Sequence, residues 1–380
     1  MAPAGTATHT SPAERSLAVR LPAFPWDRLA PASARASAHP DGIVDLSIGT
    51  PVDPVPAVVR DALAAASNSP GYPLTRGTDR LRAAASGWLA RRHGVQVSPD
   101  AVLPVIGTKE FIAALPTLLG CGQGDAVAFP ELAYPTYDIG ARLAGAQSVA
   151  TDEPETVAPA PVRLAWLNSP SNPTGRVLPA ARMAELVSWA RSAGAVLASD
   201  ECYIDLGFEA SPTPVLHPQV SGGSHAALLA VYSLSKRSNL AGYRAGFVTG
   251  DPDLVAALLE IRKHAGLIVP APVQAALTAA LDDDAHAEAQ HARYADRRSA
   301  LRPALEQAGW TVSHSQAGLY LWATHPDHDC WQSVRSLAEI GVLVSPGEFY
   351  GSAGARHIRV ALTATDERIA TAISRLRTIS

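Results

Sequence analysis

The chain has 380 residues, with 31 basic side chains against 35 acidic ones and a formal net charge of −4. Its 47% hydrophobic and 17% charged residues supply a sizeable core and exclude disorder along the whole length. The near-balanced charge leaves no footprint for nucleic acid, and no run approaches the ~18 apolar residues of a membrane span.

The N-terminus, MAPAGTATHTSPAERSLAVR, lacks a basic region followed by an apolar core, so it reads as a flexible tail over 1–23 rather than a secretory leader. An arm over 24–45 follows, expected to pack with a small C-terminal domain. IVDLSIG (43–49) reads as a short strand ending in glycine, and 53–67 and 78–94 read as helices from their three- and four-residue apolar spacing. AVLPVIG (101–107), AVAFP (126–130), RLAWLNSP (163–170), AVLASDE (195–201) and ALLAVYSLS (227–235) are short apolar runs, most of them separated by helical stretches. Strands alternating with helices imply an α/β fold with a mostly parallel sheet covered on both faces. Ligands gather beyond the carboxyl ends of such strands, so Thr108, Asn168, Asp200 and Ser233 are expected to converge.

From about Asp251 to Gly309 the pattern is helical, interrupted at LIVPAPVQ. Beyond it, WTVSHSQAGLYLWAT, VLVSPGEFY and ARHIRVALTA read as antiparallel strands, and DERIATAISRLRTI as a closing helix. The expected division is a large α/β domain over 46–284 and a smaller α+β domain over 285–380.

Only three of the 31 basic residues are lysines: Lys109, Lys236 and Lys263. Arginine substitutes for lysine where a bare charge suffices, but guanidinium holds its proton too tightly to act as a nucleophile, so the remaining lysines are places to look for chemistry. Lys236 sits in SLSKRSNLAGYRAGF, flanked by Ser233 and Ser235, with Arg244 eight residues later. Hydroxyls, an arginine and backbone amides suit a phosphate dianion, and an adjacent lysine could form an imine with an aldehyde on the same ligand. A surface Ser/Lys/Arg loop is the plainer alternative.

Asp200 and Tyr203, in SDECYIDLGF, suit a protonated ring nitrogen and a phenolic oxygen, although an isolated acid pair is more often solvated or a cap. In NSPSNPTG, Asn172 precedes Pro173 in a turn that aims its amide at a ligand, or is only a turn. Gly107 and Thr108 open a helix whose N–H groups favour an anion. Tyr134 could stack on a flat ring. Arg359, in an apolar strand, needs a carboxylate, from a substrate or from an internal salt bridge.

In order and spacing these segments resemble the fold-type I, class I and II aminotransferases. The shared pattern is NPTG, D-x-x-Y 28 residues on, S-x-S-K, arginine eight beyond the lysine, and a late arginine. The resemblance spans roughly residues 24–378 and implies pyridoxal 5′-phosphate (PLP) as cofactor. It implies that Lys236 carries the cofactor and moves the proton, Asp200 pairs with its ring nitrogen, and Tyr203 and Asn172 hold its phenolic oxygen. Tyr134 would stack on the ring, while Gly107, Thr108, Lys109, Ser233, Ser235 and Arg244 would hold the phosphate. Arg359, Gly49 and Asn172 would meet the substrate. Tyr72 resembles the tyrosine that such enzymes extend to a neighbour's phosphate, implying a homodimer.

FPWDRLA, IVDLSIGTPVDPVP, IRKHAGLIVPAPVQAAL and LDDDAHAE resemble more narrowly the actinobacterial N-succinyldiaminopimelate aminotransferases of lysine biosynthesis. The implied reaction joins glutamate and N-succinyl-2-amino-6-ketopimelate. Its extra carboxylates call for further cations, for which Lys109 and Lys263 are candidates and Arg76 a weaker one. Aminotransferases for LL-diaminopimelate, aromatic amino acids or alanine share the cofactor residues, as does a PLP C–S β-lyase; a non-catalytic PLP-binding module is the reading from another class. Cys121, Cys202 and Cys330 lack C-x-x-C spacing, which disfavours disulfides and zinc and fits a reduced, cytoplasmic protein. The histidines show no paired spacing, so no metal is expected.

Overall fold

The computed structural model describes residues 16–379; residues 1–15 of the expected tail lie outside the described residues. Residues Leu17–Arg20 of that segment form a 3-10 turn, and Arg20 reaches the Leu143 carbonyl. In chain order the strands are β1 (Val44–Asp45), β2 (Val102–Ile106), β3 (Ala126–Phe129), β4 (Gln147–Ala150), β5 (Val162–Asn168), β6 (Val196–Asp200), β7 (Leu228–Ser233) and β8 (Ala245–Gly250). They continue as β9 (Thr311–Ser313), β10 (Tyr320–Thr324), β11 (Val342–Leu343), β12 (Ser345–Pro346) and β13 (His357–Ala361).

Seven strands form one sheet in the order β2-β8-β7-β6-β5-β3-β4, parallel except for β8, which runs antiparallel to both neighbours. Side chains alternate across it. Leu228, Ala230 and Tyr232 of β7 join a core with Trp88, Met183 and Leu277, whereas Leu229 and Val231 join Phe111, Tyr137 and Leu258. One face is therefore covered by helices Asp79–His93, Ala180–Ala193 and Ala271–Asp282, and the other by Thr108–Leu118, Thr136–Ala144 and Pro252–Ala265. This double cover explains why the strands read as unbroken apolar runs. Each Leu or Val so buried contributes roughly 1.5–3 kcal/mol.

A second sheet, β12-β13-β10-β9, is antiparallel and shares a core with the long helix Ala285–Gln307, the closing helix Asp366–Leu376 and the arm residues Leu29, Ala32 and Ala36. Trp26 of the arm packs on Phe349 at 5.3 Å between ring centroids.

Local differences from the sequence reading have physical causes. The expected strand 43–49 pairs only at Val44–Asp45 with β11, because Ser47, Ile48 and Gly49 turn their carbonyls toward side chains of the cavity and its rim. The helix expected from 53 starts at Ala57, after Pro54 and Pro56 have removed two backbone donors. β8 arises from AGFVTG, whose two glycines interrupt its apolar run. Gly246 is needed there, since a Cβ would fall 2.8 Å from the Tyr232 carbonyl. In VLVSPGEFY only four residues are in strands, and Gly347–Tyr350 closes into a 3-10 turn.

Candidate active site

Beyond the carboxyl ends of β2, β5, β6 and β7 lies a cavity of about 800 Å³ whose other wall carries Tyr320 of β10 and Arg359 of β13. Asp200, the last residue of β6, is buried there. The Tyr137 hydroxyl donates to its Oδ2 at 2.8 Å and the Cys202 N–H to its Oδ1 at 3.1 Å. Burial pushes the Asp200 carboxyl above the ordinary carboxylate range, against those hydrogen bonds and the charge of Lys236. A buried carboxylate short of positive charge suits a cationic ring N–H.

Ser233 ends β7 and caps the short helix Leu234–Arg237 by accepting the Ser235 N–H at 3.2 Å. The cap sets Lys236 facing the cavity, where its Nζ donates to the Gly49 carbonyl. Burial lowers the Lys236 pKa, and Arg359 and Arg244 act in the same direction, with Tyr320 and Cys202 opposing. A lysine so placed has more of the neutral amine that nucleophilic and base chemistry requires. Gly49 is required: a Cβ there would lie 2.1 Å from the Tyr320 hydroxyl.

Gly107 links β2 to helix Thr108–Leu118 with a φ of 72°. A Cβ on it would fall 2.2 Å from Arg244 Nη2, so only glycine leaves the guanidinium room beside the helix start. Arg244 precedes β8 in a left-handed conformation (φ 55°) and donates to the Ala241 carbonyl at 2.7 Å. The first N–H groups of that helix lack intrahelical acceptors, and Thr108, Ser233, Ser235 and Arg244 line the same part of the wall. Together they form a cradle for a doubly charged anion such as a phosphate ester.

Arg359 is 3% exposed. Its Nη1 donates to Asn172 Oδ1 at 2.9 Å and its Nη2 to the Ser47 carbonyl at 2.7 Å, while Nε has no partner. The guanidinium lies between the Tyr320 ring (3.9 Å to the centroid) and the Tyr350 ring (4.8 Å). Its partners are an amide, a carbonyl and two phenol rings, so among the described residues the internal salt bridge weighed from sequence is not formed. A buried cation with an idle donor calls for an external carboxylate. Asn172 is held by its own N–H, which donates to Asn168 Oδ1 at 2.7 Å.

Tyr134 and Lys109 also line the cavity, with Lys109 Nζ 5.9 Å from the Tyr134 ring centroid. Burial pushes the Tyr134 phenol up to about 12. Glu110, next to Lys109 in the chain, meets Arg262 at 3.2 Å.

Three expected residues, Lys263, Tyr72 and Arg76, are not brought to the cavity within one chain. Lys263 lies exposed on helix Pro252–Ala265 and pairs with Glu260 at 2.6 Å. Tyr72 projects from the surface, 99% exposed. Arg76 pairs with Asp79 at 3.1 Å.

Sequence reasoning missed Tyr137, Tyr320 and Cys202, whose Sγ lies 3.4 Å from Thr108 Oγ1, and, on the outer wall, Leu21 of the expected tail and Phe24 and Trp26 of the arm. Tyr137 carried a signal, being one helical turn from Tyr134 on the same helix approach; the others carried none. No cluster of three or more metal-ligating side chains occurs among the described residues, and no described helix is long and apolar enough to cross a membrane.

Comparison with known proteins gives a match of the family model "Aminotransferase class I and II" to residues 41–376. The 4-dedimethylamino-4-oxo-anhydrotetracycline transaminase OxyQ of Streptomyces rimosus is 60% identical over 94% of this chain and 99% of its own. A protein of Mycobacterium tuberculosis named "Probable aminotransferase Rv1178" is 60% identical over 96% of this chain and 88% of its own. A Thermus thermophilus structure titled "probable N-succinyldiaminopimelate aminotransferase" superposes with a TM-score of 0.85 at 29% identity, covering 94% of this chain and all of that one.

Proposed function

The chain belongs to the class I and II aminotransferases, which depend on PLP, and from that premise we propose that it moves an amino group between glutamate and N-succinyl-2-amino-6-ketopimelate. The observation that carries this choice is Lys109: an exposed ammonium on the cavity wall beside a ring, with its sequence neighbour Glu110 engaged elsewhere. A substrate with a second carboxylate beyond its reacting carbon finds a partner there, while Arg359 takes the α-carboxylate. The Thermus likeness supports the same substrate class.

The residues fit PLP on two structural counts: a cradle that a Cβ at position 107 would fill, and a buried Asp200 lacking a full cationic partner. When bound, PLP supplies an electron sink that stabilises negative charge at the substrate's Cα. Asp200 holds the proton on the ring nitrogen. Tyr203 and Asn172 hold the ring oxygen, and Tyr134 covers a ring face. Gly107, Thr108, Ser233, Ser235 and Arg244 hold the phosphate, with Lys109 at its edge. Lys236 Nζ would hold the cofactor at rest and, once displaced from it by the incoming amino group, would take the proton from Cα and return it. Arg359, Asn172 and Gly49 orient the substrate. Tyr72 completes the phosphate site of a second copy, making a homodimer part of the proposal; its near-total exposure in one chain supports this. A reduced, cytoplasmic setting is likewise proposed, on the three free cysteines.

A second reading is favoured by the apolar outer wall of Leu21, Phe24, Trp26, Ile48 and Ile139, and by the OxyQ likeness: a bulky ring ketone as amino acceptor. A glutamate-coupled assay with succinylated and free keto acids of the diaminopimelate series, and a cyclic aromatic ketone, separates the two. Preferred turnover of the succinylated acid, with its KM raised about tenfold in Lys109→Met, is expected for loss of one charge contact. Equal rates on free and succinylated acids, or transfer to the ring ketone alone, would overturn the first reading.

A further inference from the structure

Tyr203 and Tyr320 place their hydroxyls 3.1 Å apart, with rings edge-to-face at 5.9 Å between centroids. Tyr203 follows β6, and Tyr320 opens β10, 117 residues later. The Tyr320 ring also supports the Arg359 guanidinium, and both tyrosines line the cavity. A phenol can donate once and accept as well, so in a pair of this kind one hydroxyl donates and the other keeps a proton for a further partner.

The charged and titratable groups facing Tyr320 are Arg359 on β13, Lys236 after β7, Cys202 and Tyr203 after β6, Tyr350 after β12, Tyr134 ahead of helix Thr136–Ala144, and Tyr294 on helix Ala285–Gln307. Burial pushes the Tyr320 phenol up, but the charges of Arg359 and Lys236 bring it below its ordinary value. Burial together with the facing Tyr320 pushes Tyr203 well above its own. The pair is therefore polarised, with Tyr320, the more acidic phenol, the natural donor and Tyr203 the natural acceptor.

We propose that Tyr320 is a positioning residue for transamination, acting through Tyr203 as the outer member of a two-phenol relay. The inference rests on the assignment of Tyr203 to the cofactor's ring oxygen. With the Tyr320 O–H donating to Tyr203 Oη, the Tyr203 O–H is left to donate a hydrogen bond to that oxygen. A hydroxyl that accepts a hydrogen bond becomes a stronger donor, so Tyr320 increases the hold of Tyr203 on negative charge at the ring oxygen. Only hydrogen bonds change; no proton leaves either phenol.

The test follows the pH at which the visible absorption of the holoenzyme's bound cofactor changes. A donor to the ring oxygen stabilises the form from which the shared proton has left, so weakening that donor moves the transition to higher pH. Tyr320→Phe keeps the ring and its Arg359 contact, and an upward shift of about 0.5–1 pH unit is expected for one buried hydrogen bond. Tyr203→Phe shifts it further, and the double variant shifts it no more than Tyr203→Phe alone. Replacing Tyr320 by 3-fluorotyrosine keeps the hydroxyl and makes it more acidic, so the transition moves downward; this arm decides the matter if Tyr320→Phe loads cofactor poorly. A shift in Tyr203→Phe with none in Tyr320→Phe, additive shifts in the double variant, or no response to 3-fluorotyrosine overturns the relay. A silent Tyr203→Phe overturns the Tyr203 assignment itself, and the relay falls with it.

Discussion

Tyr137 and Asp200, 63 positions apart, meet at 2.8 Å beneath the cavity, and the Tyr137 ring stacks on Trp166 at 5.1 Å between centroids. The bond works against burial, which raises the Asp200 carboxyl. Tyr137→Phe keeps the stacking ring and removes only the donor. Asp200 then holds its negative charge less firmly and grips a protonated ring nitrogen less well. We expect kcat to fall about tenfold, the weight of one hydrogen bond to a charged group, with the melting temperature nearly unchanged. An unaltered kcat in steady-state assays would remove Tyr137 from the site.

Lys236 shows the opposite balance between function and stability. Its folded pKa lies below the ordinary lysine value because burial disfavours the ammonium. The unfolded chain therefore binds more protons between the folded and unfolded pKa values, and stability rises with pH through that window. Below it the charged, desolvated amine is a standing cost. Lys236→Met should abolish the glutamate half-reaction, yet the cofactor-free variant should melt higher than the cofactor-free parent at neutral pH. The gap should close toward the alkaline end of the window. Near-native turnover, or a lower melting temperature at neutral pH, would count against the assignment.

Gly107 shapes the proposed phosphate cradle by what it lacks. Alanine there meets Arg244 Nη2 and must also adopt a φ of 72°. The backbone term is about 1 kcal/mol. The guanidinium is the free end of a long side chain, so it swings out of the cradle instead of distorting the fold. Gly107→Ala should therefore weaken PLP binding by about tenfold or more while losing little stability. Fluorescence titration of the cofactor-free protein reads this directly.

The parts of the site that could be read in the sequence are those the sheet delivers at strand ends. Thr108, Asn168, Asp200 and Ser233 each close an apolar run, and parallel strands bring such ends to one edge. Tyr320 and Tyr350 could not be read this way, because they come from the second sheet and the turn after β12, and nothing local in GLYLW or GEFY says which ring reaches Arg359. Lys109 and Lys263 illustrate the same limit: both looked like spare cations on helices, and only the packing separates one on the cavity wall from one paired with Glu260. β8 was obscured by glycines whose role is to let strands and side chains approach closely.

Beside Lys236, Arg237 turns away from the cavity and pairs through Nε with Asp205 Oδ2 at 2.5 Å, while His93 Nε2 approaches Oδ1 at 3.2 Å. Trp88 covers the guanidinium face at 5.3 Å. Burial acts to raise the Asp205 carboxyl, but His93 and Arg237 hold it at about 2. For a carboxyl depressed in the folded state, the stabilisation is complete above the unfolded value near 4 and disappears as pH falls toward 2. The shift corresponds to about 2 kcal/mol. Asp205→Asn should flatten the acid limb of a urea-stability profile between about pH 4 and 2. It should also cost about 3–5 kcal/mol at neutral pH, because Arg237 is left buried and unpaired. The larger neutral loss identifies a clamp between the segment after Asp200 and the one carrying Lys236; a variant that lost only the acid limb would show that Arg237 finds its counter-charge elsewhere.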